Sequence, residues 1–261
     1  MPPDLARPLV GQHAIVTGGG TGIGAATALA LAGLGARLTL IGRRAAPLHD
    51  TGRSIAKATG ATTTAEPLDV TDPAAVADGF ARIGPADILV SNAGAAESAP
   101  FARTGLDLLD RMLAVHLKAA FLCAQAALPA MLKAKRGRII AVASTAGLTG
   151  YPYVSAYVAA KHALVGLVRA LALETAKSGV TVNAVCPGFT DTALVARAAE
   201  EIAQKTGRSP EEARAELMRS NPMGRLVTAE EVASAVAFLA LPGASAVTGQ
   251  AIVIAGGEVM A

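Results

Sequence analysis

Eight residues constrain this chain more than any others: Thr17-Gly18-Gly19-Gly20-Thr21-Gly22-Ile23-Gly24. They stand between a short apolar run at 12–16 and a stretch of strong helix formers, Ala25-Ala26-Thr27-Ala28-Leu29-Ala30-Leu31-Ala32. Strand, glycine turn and helix in that order is the context of a dinucleotide site. The glycines allow a tight turn and a close backbone approach. The helix N-terminus offers free N–H groups and a positive dipole end to a pyrophosphate. The spacing is Gly18-x3-Gly22-x-Gly24 rather than G-x-G-x-x-G, and Gly18, Gly20, Thr21, Gly22, Ile23 and Gly24 become the candidate phosphate-facing residues.

Strand-like apolar runs recur at 12–16, 38–41, 61–66, 86–91, 138–143, 180–185 and 251–254, with helix patterns between them. This alternation predicts an α/β fold: a doubly wound parallel sheet of about seven strands, helices on both faces, and a ligand crevice at the strand C-terminal ends. Gly18–Gly24, Asn92–Gly94, Ser144 and Pro187–Thr192 each fall just after such a run. The topology therefore gathers them at one edge. No repeat or shifted linker interrupts the pattern, so 1–261 reads as a single domain.

Tyr157 and Lys161 are four residues apart in a helix pattern, which puts both on one face. An ammonium beside a phenol favours the phenolate, so the lysine is expected to lower the tyrosine pKa from about 10 and create a general acid usable near neutral pH. Ser144, at the end of the run Ile139-Ile140-Ala141-Val142-Ala143, could donate to the same carbonyl oxygen. After the second strand comes Gly42-Arg43-Arg44. An acid there would grip a ribose 2′-hydroxyl, whereas the Arg43 guanidinium suits a 2′-phosphate. NADP(H) is thus favoured over NAD(H), which is kept as the second choice.

Together these residues resemble the short-chain dehydrogenase/reductase superfamily, with its Rossmann-type sheet, over about residues 9–257. The resemblance implies that Thr17–Gly24 is the cofactor turn and that Asp69-Val70 contacts adenine. It implies that Asn92-Ala93-Gly94 closes the floor of the cofactor cleft and that Ser144, Tyr157 and Lys161 form the catalytic triad. Pro187-Gly188-Phe189-Thr190-Asp191-Thr192 resembles the loop that holds the nicotinamide amide, with Thr192 preferred over Thr190 for that role. Where many members carry a catalytic asparagine that helps hold a proton-relay water, this chain has His116. A histidine could bond such a water and titrates near neutral pH; a purely local structural role is the equal alternative.

Composition narrows the classes. The chain has 261 residues, 52% hydrophobic and 16% charged, enough for one sizeable core. Aromatics make up 3% and Trp is absent, so Ala, Leu, Val and Ile must fill it. No apolar run reaches ~18 residues without Gly, Pro or charge, so no membrane partner is indicated. Cys123 and Cys186 lack metal spacing, no metal site is expected, and with no visible secretory signal a cytoplasmic location is expected. A net charge of +3 without a basic stripe speaks against nucleic acid.

Residues 193–221 read as two short amphipathic helices, expected to form a lid over the substrate. Within the superfamily, Ser155–His162 and Gly224–Val232 look most like 3-hydroxybutyrate dehydrogenases, in a branch shared with 3-oxoacyl reductases. Those dehydrogenases grip a free carboxylate with polar residues, and Ala96, Ala146 and Val154 stand at the matching positions. An apolar pocket cannot cheaply desolvate a carboxylate. The expected activity is therefore hydride transfer between NADPH and a neutral ketone or secondary alcohol: a 3-oxoacyl/3-hydroxyacyl thioester, or a ketone with a bulky apolar group. Arg197, Lys205, Arg208, Arg214 and Arg219 could meet a CoA or carrier phosphate, with solvated helix charges the favoured reading. A silent structural or regulatory subunit, an NAD-dependent 3-hydroxybutyrate-type dehydrogenase, and a lyase, epimerase or dehydratase stay open. The resemblance implies a homotetramer, paired through helices near 105–133 and 151–178.

Overall fold

The computed structural model describes residues 7–260, the side chain of Lys205 excepted. The seven strands are β1 (His13–Thr17), β2 (Arg37–Gly42), β3 (Thr63–Pro67), β4 (Ile88–Ser91), β5 (Gly137–Val142), β6 (Val180–Pro187) and β7 (Ala251–Ile254). They form one sheet in the order β3-β2-β1-β4-β5-β6-β7, every neighbouring pair parallel. The order reverses between β1 and β4, which is where a crevice opens at the strand C-termini.

Side chains leave a strand alternately to its two faces, and both faces here are apolar. Ala14, Val16, Leu38, Leu40, Ile88, Val90, Ile140 and Val142 join one core. It is closed by α1 (Gly22–Gly33), α2 (Ala45–Thr59) and α9 (Ala229–Ala240) through Leu31, Leu48, Val232 and Leu239. Ile15, Ile41, Leu89, Ile139 and Ala141 join the other. Its helices are α3 (Pro73–Ile83), α5 (Ala119–Ala134) and α6 (Ser155–Thr175), through Phe80, Met131, Leu164 and Val168.

The helix after β4 is not uniform. α4 (Leu106–Leu113) passes into one π-helical turn, Ala114–Lys118, before α5 begins. Such π turns are rare and often mark functional positions, and His116 lies at the centre of this one. Two stretches, Leu106–Ala134 and Ser155–Thr175, are long and apolar enough to cross a bilayer by length and composition, although neither is an uninterrupted apolar run. In this fold α5 and α6 lay one side on the sheet, while α4 packs against α6.

α7 (Ala193–Thr206) and α8 (Pro210–Met218) follow β6. Ser209 accepts from the Glu212 amide while the Glu212 carboxylate accepts from the Ser209 amide, so the expected N-cap is a full capping box. The arginines considered as phosphate contacts mostly have acidic partners: Arg208 and Arg219 with Glu216, and Arg214 with Asp191. Arg197 bonds the Ala193 carbonyl. The Lys205 side chain lies outside the described residues.

At the N-terminal end of the central strand β1, remote from the crevice, His13 is buried. Its Nδ1 lies 2.8 Å from the Pro85 carbonyl and its Nε2 lies 2.8 Å from Thr39 Oγ1. A neutral ring that donates from Nδ1 and accepts at Nε2 satisfies both. Burial lowers its pKa, although the Pro85 bond works the other way. The unfolded chain therefore binds a proton below about pH 6.5 that the folded chain resists, and stability should fall from pH 6.5 to 5. Urea unfolding of His13→Gln across that window should give a shallower fall than the parent; equal slopes would remove His13 from the account.

Candidate active site

The loop after β1 folds back because Gly18 and Gly22 take positive φ, 64° and 53°. Close approach matters as much as conformation. A Cβ on Gly24 would sit 2.1 Å from the Gly18 carbonyl, and one on Gly18 would sit 2.8 Å from Asn92 Nδ2. Thr21 caps α1 with extended backbone and no side-chain cap bond, so the first N–H groups of that helix face outward. These glycines leave a backbone cradle at a helix N-terminus, which fits the diphosphate of a dinucleotide.

Thr17 does more than start the turn: it ties the turn to β4. Its Oγ1 accepts from the Asn92 amide at 2.9 Å and the Ala93 amide at 3.0 Å, and Asn92 Nδ2 donates to the Thr17 and Gly18 carbonyls at 3.0 and 3.3 Å. Asn92-Ala93-Gly94 thus floors the cleft. At its far end, Thr71 donates to Asp69 Oδ1 from its amide (2.9 Å) and hydroxyl (2.7 Å). These bonds hold the Asp69 carboxyl below its usual range, and the charge of nearby Arg43 adds to the effect. Arg43 is exposed just after β2. Asp69 and Val70 follow β3, so the four groups share one end of the crevice.

The loop after β6 comes back toward the glycine turn. A Cβ on Gly22 would touch Thr192 Cγ2 at 3.2 Å. Thr190 is buried, with its hydroxyl on the Gly188 carbonyl at 3.0 Å. Thr192 caps α7 from an extended backbone, and its hydroxyl makes a longer bond, 3.3 Å, to the Thr190 carbonyl. Of the two threonines, Thr192 is the better disposed toward the cleft.

Ser144 lies two residues beyond β5, and Tyr157 and Lys161 lie on the first turns of α6. Lys161 is buried; its ammonium donates to the Val142 carbonyl at 2.9 Å and lies 5.6 Å from the centre of the Tyr157 ring. The electrostatics reverse one expectation. Burial raises the Tyr157 pKa rather than lowering it, with only the Ser144 hydroxyl bond opposing. Burial also brings Lys161 down to about 7. Desolvation penalises both charged forms here, so the phenol keeps its proton. A proton donor needs that state, and the ammonium beside it is poised to share its own.

His116 is corrected in a similar way. It is buried, its ring meets Tyr157 edge-on at 5.1 Å, and burial with the Lys161 charge drives its pKa well below 6.5. The expected titration near neutral pH is absent because the ring has no solvent to charge into. Nε2 donates to the Ala95 carbonyl at 2.7 Å, which leaves Nδ1 an acceptor with no protein partner. Between His116, Lys161, Thr17 and Val142 lies a cavity of about 10 Å³, near the lower bound for one water molecule. Among the described residues no group of three or more His, Cys, Asp or Glu could hold a metal.

Lys161 gives this site a signature in stability. From pH 7 to about 8.5 the unfolded chain keeps a lysine proton that the folded chain gives up, so stability rises with pH. Above that, burial holds the Cys123 thiol at about 12 and the Cys186 thiol at about 11, and the unfolded chain releases their protons first. The gain then reverses. Unfolding free energy of the protein alone should climb from pH 7 to about 8.5, and Lys161→Met should flatten that climb; an unchanged slope would contradict the burial effect.

Comparison with known proteins bears on this geometry. A family model described as enoyl-(acyl carrier protein) reductase matches residues 18–258. The chain is 39% identical over 252 residues to the D-beta-hydroxybutyrate dehydrogenase of Rhizobium meliloti (strain 1021), covering 94% of this chain and 98% of that one. It is 36% identical over 254 residues to the 3-oxoacyl-(acyl-carrier-protein) reductase of Salmonella typhimurium (strain LT2), covering 96% and 98%. Its fold superposes on L-sorbose reductase from Gluconobacter frateurii, solved with NADPH and L-sorbose, with a TM-score of 0.92, 27% identity, and 98% and 100% of the two chains covered. The chain belongs to the short-chain dehydrogenase/reductase family, nicotinamide-dependent oxidoreductases that act on CH–OH and C=O groups.

Proposed function

We propose that this enzyme is an NADPH-dependent ketoreductase for a neutral 3-oxoacyl thioester or a bulky apolar ketone. The observation that carries the reading is the arrangement of Ser144, Tyr157 and Lys161 around one space at the C-terminal end of β5. Bound on the glycine cradle, the cofactor supplies the hydride. Ser144 and Tyr157 hold the substrate carbonyl oxygen by hydrogen bonds, and Tyr157 gives it a proton as negative charge develops there. Lys161 orients the nicotinamide ribose and replaces the phenol's proton. His116, through Nδ1, accepts a hydrogen bond from a water in the small cavity and so holds that water beside Lys161. Thr192 and the main chain of Pro187–Gly188 hold the nicotinamide amide.

Arg43 supports NADPH over NADH, since the two residues that follow β2, Arg43 and Arg44, are cations, and an exposed guanidinium there suits a 2′-phosphate. The sorbose reductase and its NADPH are consistent with that choice. Buried Ala146 and half-buried Val154 offer no cation for a free carboxylate. Phe101 (80% exposed) and Tyr153 (67%) lie on segments joined by the Ala99 amide and the Tyr153 carbonyl, four residues before Tyr157 in the case of Tyr153, and offer an apolar surface to a bulky substrate. α7 and α8 serve as the lid, with Arg214 holding Asp191 of the nicotinamide loop at 2.8 Å. Exposed Phe121, Leu132 and Leu173 on α5 and α6 support pairing of these faces in a homotetramer. A location in the cytoplasm is in keeping with the two free thiols.

A 3-hydroxybutyrate dehydrogenase is the competing reading, favoured by the Rhizobium relative. Initial rates with NADPH and NADH on acetoacetyl-CoA, free acetoacetate and an aryl ketone separate the two. NADPH with a neutral ketone should win; NADH with acetoacetate as the best pair would overturn the proposal. Tyr157→Phe should lose about 10²–10⁴-fold in turnover while still quenching NADPH fluorescence. His116→Asn should keep activity with the same pH profile from 6 to 8, because a neutral hydrogen-bonding group replaces another. Arg43→Asp should raise the NADPH KM by ~10-fold or more and spare that for NADH.

A further inference from the structure

One carboxylate near the reacting groups has no part in the chemistry above. Glu258 follows β7. Tyr151 Oη lies 2.8 Å from Glu258 Oε1 and 2.8 Å from Thr145 Oγ1, so the phenol donates to the carboxylate and accepts from the threonine hydroxyl. Glu258 Oε2 is shielded from solvent and has no hydrogen-bond partner. Gly188 makes room for it, since a Cβ there would stand 2.8 Å from that oxygen.

The neighbours of this cluster are those of the active site. Thr145 adjoins Ser144, Gly188 opens the nicotinamide loop, and the Tyr151 ring meets Phe189 edge-on at 6.1 Å. Strand order adds direction. β7 lies beyond β5 and β6, away from β1 and its glycine turn. Glu258 is therefore on the side left for substrate when a dinucleotide fills the crevice. A half-buried carboxylate with one oxygen shielded and unpaired acts over that space with less screening than an exposed one.

We propose that Glu258 is a specificity-determining residue: its charge disfavours a substrate whose own carboxylate sits beside the reacting carbonyl, and so selects neutral 3-oxo compounds. This rests on the ketoreductase reading and names the group that enforces it. Specificity of this kind comes from a repulsive element set against the wrong ligand. Buried Ala146, next to Thr145, supplies no cation to offset it.

The test uses the full chain with NADPH, and compares acetoacetate with its neutral methyl ester. Glu258→Gln keeps the shape and an oxygen for Tyr151 but removes the charge. It should raise kcat/KM for acetoacetate by ~10-fold or more, through KM, and leave the ester within about two-fold. Tyr151→Phe keeps the charge and should change both substrates alike. If the Gln variant no longer quenches NADPH fluorescence, Glu258→Met is read in its place. An unchanged acid-to-ester ratio in the charge-removing variant overturns the role of Glu258. A parent that reduces neither compound, nor any other ketone, overturns the ketoreductase reading and this inference with it, and is seen before any variant is made.

Discussion

The site depends on the hydroxyl of Thr17. A parallel sheet whose order reverses between β1 and β4 splits open at that point, and something must fix the two strand ends relative to each other. One buried oxygen does so by taking the amides of Asn92 and Ala93, while the Asn92 side chain returns the contact to Thr17 and Gly18. The satisfied backbone groups are at the floor of the crevice, where unpaired ones would be costly. Everything around it is placed from this joint: the glycine cradle on one side, Gly94 and His116 on the other.

Upon that frame the protein sets charges where water cannot reach. Lys161 and Tyr157 both resist ionisation when buried, and that drives their proton affinities apart: the phenol's rises above its usual value while the ammonium's falls to about 7. A phenolate left behind by proton donation is therefore reprotonated downhill by the Lys161 ammonium. The same burial that costs stability around Lys161 makes the group useful, the common pattern for perturbed groups at active sites.

Much of this was legible in the sequence. The seven strand runs fall within a few residues of the observed strands, because apolar continuity and glycine turns are local signals. The glycine turn, Asn92–Gly94, Ser144, Tyr157 and Lys161 gather at one edge because each follows a strand of a parallel sheet. The sign of the Tyr157 shift was not legible, since spacing places a lysine nearby but gives no measure of solvent around it. The neutral state of His116 and the π turn at Ala114–Lys118 are tertiary outcomes of the same kind. Tyr151 and Glu258, 107 residues apart, carried no local mark at all. The one hint is Gly188, which the family resemblance already accounts for as part of the Pro187–Thr192 loop.

Gly94 and His116 have a further consequence. A methyl group at 94 would come within 2.7 Å of the imidazole Cε1, so one volume is divided between two positions far apart in sequence. The pair should therefore be epistatic: alanine at 94 is harmful while the histidine is present and tolerable once a smaller side chain has replaced it. Of the two mutational orders that lead to the same double variant, only the one that shrinks residue 116 first avoids a poorly folded intermediate.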